Sequence, residues 1–364
     1  MVKLFRFCGG DKGNLKSDLK VGCKQMPLRL NKWGLEMLSF FKSINHRTIS
    51  RPLSIWTYQA VQSPKGWYIN GVAINGHPKA IDTDDGPLKV FWKIFRSYFY
   101  KSAGNRNIDL RINGETHPVV TDKDGNFELT IDLNRLESIE FSHPDSLEKL
   151  DILQKETRFF SYYKENFLVI SDIDDTILVS HSTRFFSKLW LMLFKPIPNR
   201  KTVEESELAY RELKKGKLPF AYVSASEYNL FSLVSTFINL HELPSGPIYL
   251  RPHQEFIDLF GKTERENYKV KRIRQLLRHF PEKKIVLFGD DSQQDFTVFG
   301  EVAQKLPDRI HSVFLRKTGS LKVSGSGKVT WEMPGGKIPV HYYDDYADIQ
   351  LEIKNLIYEN SRST

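Results

Sequence analysis

Phe167-Leu168-Val169-Ile170-Ser171-Asp172-Ile173-Asp174-Asp175-Thr176 is the stretch from which the rest of the chain is read. An apolar run of strand length ends abruptly in three carboxylates and a hydroxyl. A run so apolar reads as a strand buried on both faces, as in a parallel sheet. Asp172 and Asp174 are two residues apart, so extended backbone would point both side chains the same way. Carboxylates crowded at a strand end repel one another, and a divalent cation is the usual remedy. An acidic turn accounts for one or two such acids but not for what recurs downstream.

The same design appears twice more. Leu218-Pro219-Phe220-Ala221-Tyr222-Val223 ends in Ser224-Ala225-Ser226, and Ile285-Val286-Leu287-Phe288 ends in Gly289-Asp290-Asp291, with Asp295 following. Between them Lys269 opens an amphipathic helix. From residue 166 onward strand and helix patterns alternate, which predicts a parallel sheet with crossover helices. Strands are expected at 166–172, 218–224, 247–251, 284–289 and 309–316. Helices are expected at about 202–215, 226–240, 265–280, 293–305 and 345–358. Ligands of such sheets bind outside the carboxyl ends of the strands, which is where the polar endings fall.

The 364 residues are 40% hydrophobic and 13% aromatic, enough for packed cores in two domains and an extension. Both cysteines, Cys8 and Cys23, lie near the N-terminus and cannot staple the later domains, which points to a reducing compartment. No apolar stretch approaches the ~20 residues of a spanning helix, and the N-terminus lacks the apolar core of a signal peptide. A cytoplasmic protein is expected. Of the formal charge of +9, residues 1–50 supply most, with ten Lys and Arg against Asp11, Asp18 and Glu36. A basic arm suits anionic lipid, and a solvated leader has the same composition. No base-stacking or groove-reading motif supports nucleic acid.

The expected organisation is a basic extension at 1–50, a β-sandwich-like domain at 51–145, a linker at 146–165 and an α/β domain at 166–364. Within the extension, Leu35, Leu38 and Phe41 have the spacing of one short amphipathic helix. Short alternating runs at Ile55–Ala60, Trp67–Ile74 and Ile108–Ile112 are strands. Val119–Ile131 reads as a hairpin whose turn, Asp122-Lys123-Asp124-Gly125, places Gly where a positive φ is needed. Val90–Tyr100 is a helical interruption rich in aromatic and basic residues. Nothing catalytic stands out in this part, so a supporting, targeting or regulatory role is expected of it.

Asp-x-Asp-x-Thr, a strand-end Ser, a Lys and Gly-Asp-Asp-x-x-x-Asp, in that order, resemble the four motifs of the haloacid dehalogenase superfamily of phosphatases. The resemblance implies a Rossmannoid parallel sheet with a small insertion, and a Mg²⁺ cofactor. It also implies roles at the matching positions. Asp172 is the nucleophile that forms an aspartyl-phosphate, and Asp174 is the general acid/base with a backbone contact to the metal. Ser224 hydrogen-bonds a phosphoryl oxygen, and Lys269 neutralises nucleophile and phosphate. Asp290, with Asp295 or Asp291, completes the oxygen ligands alongside Asp172 and Asp174. Thr176 and Ser226 are expected beside the substrate. Alternatives stay open: Ser226 as a helix N-cap, Asp295 as decoration of a first helical turn, Lys271 in place of Lys269, and Asp175 in a structural role.

Ser171–Ile177, Tyr222–Ser226, Pro244-Ser245-Gly246-Pro247 and Phe280–Asp295 together look like the actin-patch type of Mg²⁺-dependent phosphatidate phosphatase, over about 160–316. Lipins are more distantly similar through the Asp172 motif. Two departures are Asp291, where a small residue is expected, and the acidic Ala225-Ser226-Glu227-Tyr228. The resemblance implies hydrolysis of phosphatidate to diacylglycerol and phosphate. A phosphatase of a soluble phosphomonoester, or an inactive module tethered to a surface, are the other readings. Arg184–Lys195 is apolar on nearly every face with basic margins, which suits an interfacial helix beside the site and equally a cap helix packed on its own domain. If Phe185, Trp190 and Phe194 engage a membrane, serine at all three cuts vesicle binding and lipid turnover while sparing a soluble phosphoester. Equal loss on both substrates rules that out.

Overall fold

Apolar and polar residues alternating between turn formers make the first part of the chain β-rich. The computed structural model describes residues 52–144, 146, 148–154, 159–162, 165–173, 204–252, 265–291, 293–318, 327–334 and 336–362. It begins with β1 (Leu53–Ser63), β2 (Gly66–Asn75), α1 (Pro87–Ser97), β3 (Lys101–Ser102), β4 (Asn107–Ile112), β5 (Glu115–Val120), β6 (Asn126–Ile131), β7 (Ile139–Ser142), β8 (Asp151–Ile152) and β9 (Phe159–Ser161). One sheet is built on the β1–β2 hairpin, with β3 and β6 added to β2 and β8 and β9 to β1. A second, in the order β5-β4-β7, packs on it through a core that includes Ile55, Tyr58, Ile69, Leu110, Phe127 and Phe141. This is a β-sandwich.

Two details differ from the expected pattern. The turn at Asp122–Gly125 forms, with Asp122 Oδ1 accepting from the Asp124 and Asn126 N–H groups and Gly125 at φ +82°. It closes no hairpin, because β5 pairs with β4 and β6 with β2, so the turn carries the chain between sheets. Asp151–Ile152 and Phe159–Ser161, within the stretch expected to link the domains, lie along β1 as β8 and β9.

The α/β part follows with β10 (Phe167–Ser171), α2 (Glu204–Lys215), β11 (Phe220–Glu227), α3 (Phe231–Leu240), β12 (Ile248–Arg251), α4 (Arg265–His279), β13 (Lys284–Asp290), α5 (Gln293–Lys305), β14 (Ile310–Arg316), β15 (Gly327–Met333), β16 (Gly336–Tyr343) and α6 (Gln350–Ser361). The seven strands run in the order β12-β11-β10-β13-β14-β16-β15. All pairings are parallel except β15–β16, an edge hairpin that the sequence reading left unassigned. All five residues of β10 are buried, and burial of its four apolar side chains contributes on the order of 6–12 kcal/mol. Helices cover both faces. Ala209, Tyr210 and Leu213 of α2, Phe231 and Phe237 of α3 and Ile353 of α6 pack on one. Val270, Ile273 and Leu277 of α4 and Val298 and Val302 of α5 pack on the other.

The two parts share their cores. Trp56, Val72 and Ile74 of the sandwich join the first cluster, and Val61 and Tyr68 join the second; Arg51–Thr364 form one compact unit. Helix α1 buries Val90, Ile94 and Tyr98 against Leu230 and Leu233. The side chain of Gln59 on β1 meets the outer edge of β12, donating to the Ile248 carbonyl at 3.1 Å and accepting from the Ile248 N–H at 2.9 Å. A glutamine amide there does the work of one more strand residue and covers an edge that would otherwise present open backbone. Among the described residues no helix is long and apolar enough to cross a membrane. Residues 1–50 and 184–195, with their expected membrane contacts, lie outside the described residues.

His341 on β16 is 6% exposed, stacked on Phe314, with Glu352 3.9 Å from Nδ1. Burial pushes its pKa down to about 4, against a smaller opposing pull from Glu352. Burial also lowers His279 and His311. A depressed pKa means that the unfolded chain binds the proton first. The resulting penalty is absent above about pH 6.5 and grows as pH falls toward 4. For His341 alone it reaches on the order of 3 kcal/mol. Urea titrations between pH 7.5 and 4.5 are expected to give a falling unfolding free energy, with a shallower fall in His341→Gln.

Candidate active site

Strand register brings the motifs together. Ser171 pairs with Tyr222 on one side and Phe288 on the other. Ser224 and Asp290 each stand two residues beyond those partners, on the same side of the pleat. The Asp172 N–H donates to the Phe288 carbonyl at 2.9 Å, which extends the ladder past β10 and fixes the acid's backbone. Below it, Ser171 Oγ donates to the Asp172 carbonyl at 2.6 Å and sits 2.6 Å from the hydroxyl of the buried Tyr210.

Asp172, Asp290, Asp291 and Asp295 are each at most 3% exposed. Lys269, also 3% exposed, reaches in from α4. Its Nζ lies 2.7 Å from Asp172 Oδ1 and donates to Asp295 Oδ1 at 2.6 Å. Burial would lower the Lys269 pKa, but the Asp172 and Asp295 carboxylates reverse that and hold it well above the ordinary lysine value. The ammonium therefore stays charged across the working pH range. Lys271, two residues on, is exposed, which leaves the role to Lys269.

Asp295 occupies the first turn of α5, where a helix N-terminus favours an anion. Its second oxygen accepts from the Asp290 N–H at 3.3 Å. This close approach depends on Gly289, where an added Cβ would stand 2.7 Å from Asp295 Oδ2 and 2.6 Å from the Phe299 ring. Asp291 is held elsewhere. Its N–H donates to the Arg316 carbonyl at 2.8 Å, and its Oδ1 accepts from the Thr318 N–H at 2.7 Å and from the Thr318 hydroxyl.

Ser224 is fully buried, and its Oγ accepts from the Ser226 N–H at 2.9 Å. Ser226 is half-buried inside β11, which runs on to Glu227; a 3-10 turn at Tyr228–Leu230 precedes α3. The N-cap reading of Ser226 fails because the strand continues past it. Asp174, Asp175 and Thr176 lie outside the described residues.

Sequence reasoning missed Tyr210 and a buried ion pair between Glu227 and Arg251, the last residues of β11 and β12. Arg251 Nη2 bonds Glu227 Oε1 while its Nε donates to the Ala225 carbonyl. The signal was present: Ile248-Tyr249-Leu250-Arg251 is one more apolar strand ending in a polar group at the same edge of the sheet. Helix α4 has its own brace. Arg272, one turn beyond Lys269, lies over the rings of Tyr249 and Tyr268 and pairs with Glu128 of β6 at 3.1 Å. Gln275 donates to the Tyr68 hydroxyl and to Glu128.

Lys269 bridges the buried carboxylates of Asp172 and Asp295, with Asp290 bonded to Asp295 through its N–H, at one end of the sheet. Hard divalent cations take carboxylate oxygens of this kind, but among the described residues no three His, Cys, Asp or Glu side chains are grouped as a metal site.

Residues 167–317 match the family described as phosphatidate phosphatase APP1, catalytic domain. The chain is similar to phosphatidate phosphatase APP1 of Saccharomyces cerevisiae, 29% identical over 149 residues, which are 41% of this chain and 25% of that protein. It is also similar to an uncharacterized protein of Schizosaccharomyces pombe, 29% identical over 154 residues, 41% of this chain and 24% of that one. The chain thus spans about a quarter of the length of these curated relatives. Among solved structures, a D,D-heptose 1,7-bisphosphate phosphatase from B. bronchiseptica, complexed with magnesium and phosphate, overlaps 53% of this chain and 98% of its own at 15% identity and a TM-score of 0.33. A haloacid-dehalogenase family hydrolase from Deinococcus radiodurans overlaps 52% and 95% at 15% identity and a TM-score of 0.32.

Removing one partner of a buried ion pair costs about 3–5 kcal/mol, whereas an exposed charge changes stability by less than about 0.5 kcal/mol. Lys269→Met is therefore expected to lower the unfolding free energy near pH 7 by that larger amount, and Lys271→Met to leave it in place. Denaturant titration of the two variants reads the difference; equal effects would overturn the central position of Lys269.

Proposed function

We propose that the chain is a Mg²⁺-dependent phosphatidate phosphatase that yields diacylglycerol and phosphate through an aspartyl-phosphate on Asp172. The observation that carries this reading is the buried contact of Lys269 with both Asp172 and Asp295 beside Asp290. On this reading the contact supplies a nucleophile and its counter-charge at one sheet end, inside the segment that matches a phosphatidate phosphatase catalytic domain.

The chemistry follows from the charges. One Asp172 oxygen attacks the phosphorus in line, and the P–O bond to the lipid breaks. The Lys269 ammonium offsets repulsion between the carboxylate and the phosphoryl oxygens. The Ser224 hydroxyl donates to one of those oxygens, and Ser226 and Thr176 bind the substrate. Asp174 gives its proton to the departing alkoxide, then takes one from the water that opens the acyl-phosphate. Mg²⁺, held by Asp172, Asp290 and Asp295 with the Asp174 carbonyl, would neutralise the approach of the two anions and align them.

A lipid substrate calls for peripheral contact with a bilayer, and the net charge of +9 favours an anionic one. The same mechanism on a soluble phosphomonoester remains the second reading, and an inactive surface tether the third. The buried Asp172–Lys269–Asp295 arrangement weighs against the last. The purified chain is expected to release phosphate from phosphatidate in mixed micelles, to stop on addition of chelator and to resume with Mg²⁺. Asp172→Asn is expected to lose about a thousandfold or more. Release from small phosphoesters alone selects the second reading, and no release from any phosphoester selects the third.

A further inference from the structure

Two buried donors near the candidate active site have no partner among the described residues. One is Arg251 Nη1; the residue is 3% exposed, and its other two nitrogens are engaged by Ala225 and Glu227. The other is the hydroxyl of Tyr98, 2% exposed, at the end of α1. Both stand where β11 leaves the sheet. Arg251 Nε grips the carbonyl of Ala225, between Ser224 and Ser226, and Arg251 pairs across the ladder with Glu227. Two residues past Glu227, Asn229 Nδ2 donates to the hydroxyl of Ser97, the neighbour of Tyr98. The Tyr98 hydroxyl feels both members of the ion pair, although burial is the larger influence on it.

A buried donor left unsatisfied costs about 1–3 kcal/mol. Two of them, linked through Glu227 and the Asn229–Ser97 bond and lying toward the strand ends where this fold places ligands, would both be satisfied by one acceptor. The charge balance says which acceptor. Arg251 is already neutralised by Glu227, so the pair offers an N–H and an O–H with no net positive charge, which suits an uncharged oxygen better than a second phosphate. Position agrees. β12 lies two strands from β10, about 10 Å away, too far for the phosphoryl group on Asp172 and close enough for the alcohol a few bonds beyond it.

We propose that Arg251 Nη1 and the Tyr98 hydroxyl form a subsite for an acyl-ester carbonyl of the substrate's glycerol portion, so that the β-rich part supplies one of the substrate's ligands. This rests on the phosphatidate reading above. It gives the ester linkage, rather than the phosphate, a direct role in selection.

The test uses the full chain with three substrates: dioctanoyl phosphatidate, its dialkyl-ether analogue, which lacks both carbonyls, and p-nitrophenyl phosphate. The wild type is expected to prefer diacyl over dialkyl by about tenfold in kcat/KM, the worth of one good hydrogen bond. Tyr98→Phe, which removes only the orphan hydroxyl, is expected to collapse that ratio toward one through KM, without lowering the melting temperature. Arg251→Lys, which keeps a cation for Glu227, is expected to act in the same direction. A diacyl preference unchanged in Tyr98→Phe, or equal losses on diacyl and dialkyl substrates, overturns the subsite alone and assigns the hydroxyl to a trapped water. No phosphate from any of the three overturns the phosphatase reading and the subsite with it.

Discussion

Asp172 and Asp295 share one ammonium, and most of what surrounds them can be understood as the means of keeping it there. A lysine withdrawn from water is expensive to hold charged, and so is a carboxylate. Each becomes tolerable only through the others, at 2.7 and 2.6 Å. The contact constrains three elements at once. Strand β10 must end where it does, the first turn of α5 must face it, and α4 must lie close enough for Lys269 to reach both. Arg272, between two tyrosine rings and Glu128, sets α4 at that distance. The positioning of one charge thus extends through a helix into the neighbouring sandwich.

This arrangement also explains why two neighbouring acids differ. Asp290 and Asp291 are adjacent in sequence, and the alternation of a strand sends them opposite ways. Asp290 keeps company with Asp295, while Asp291 turns to the segment after β14 and is occupied by Thr318. An acid where a small residue was expected is accommodated because it answers a local need for an acceptor rather than adding to the charge around Lys269.

The strands and helices of the α/β part were legible because each apolar run has the length and polar ending of a buried parallel strand. The helix expected at 293–305 forms at Gln293–Lys305. The β15–β16 hairpin was not legible, since an antiparallel edge has neither a long apolar run nor a crossover to announce it. β11 runs three residues beyond expectation because Glu227 finds Arg251 across the ladder. That pairing is long-range and invisible to local pattern. The sandwich was legible in its alternation but not in its pairings: the turn before Gly125 is a local fact, whereas the choice of partner strand is made by the core. Asp172, Ser224, Lys269, Asp290 and Asp295 were picked out by type and order, and the structure joins Lys269 to Asp172 and Asp295 and Asp295 to Asp290. Tyr210 and Arg251 were not picked out, because a buried hydroxyl and a strand-end arginine carry no spacing of their own.

The glutamine that closes the edge of β12 has a bearing on how such a protein can change over time. A catalytic unit whose border is sealed by its neighbour's amide cannot be cut out and joined to a different companion as an interchangeable cassette. The new companion would have to offer a carboxamide at the same height, or leave a bare strand open to any passing chain. The two halves are therefore expected to travel together through descent, and innovation to accumulate in the connecting stretches instead.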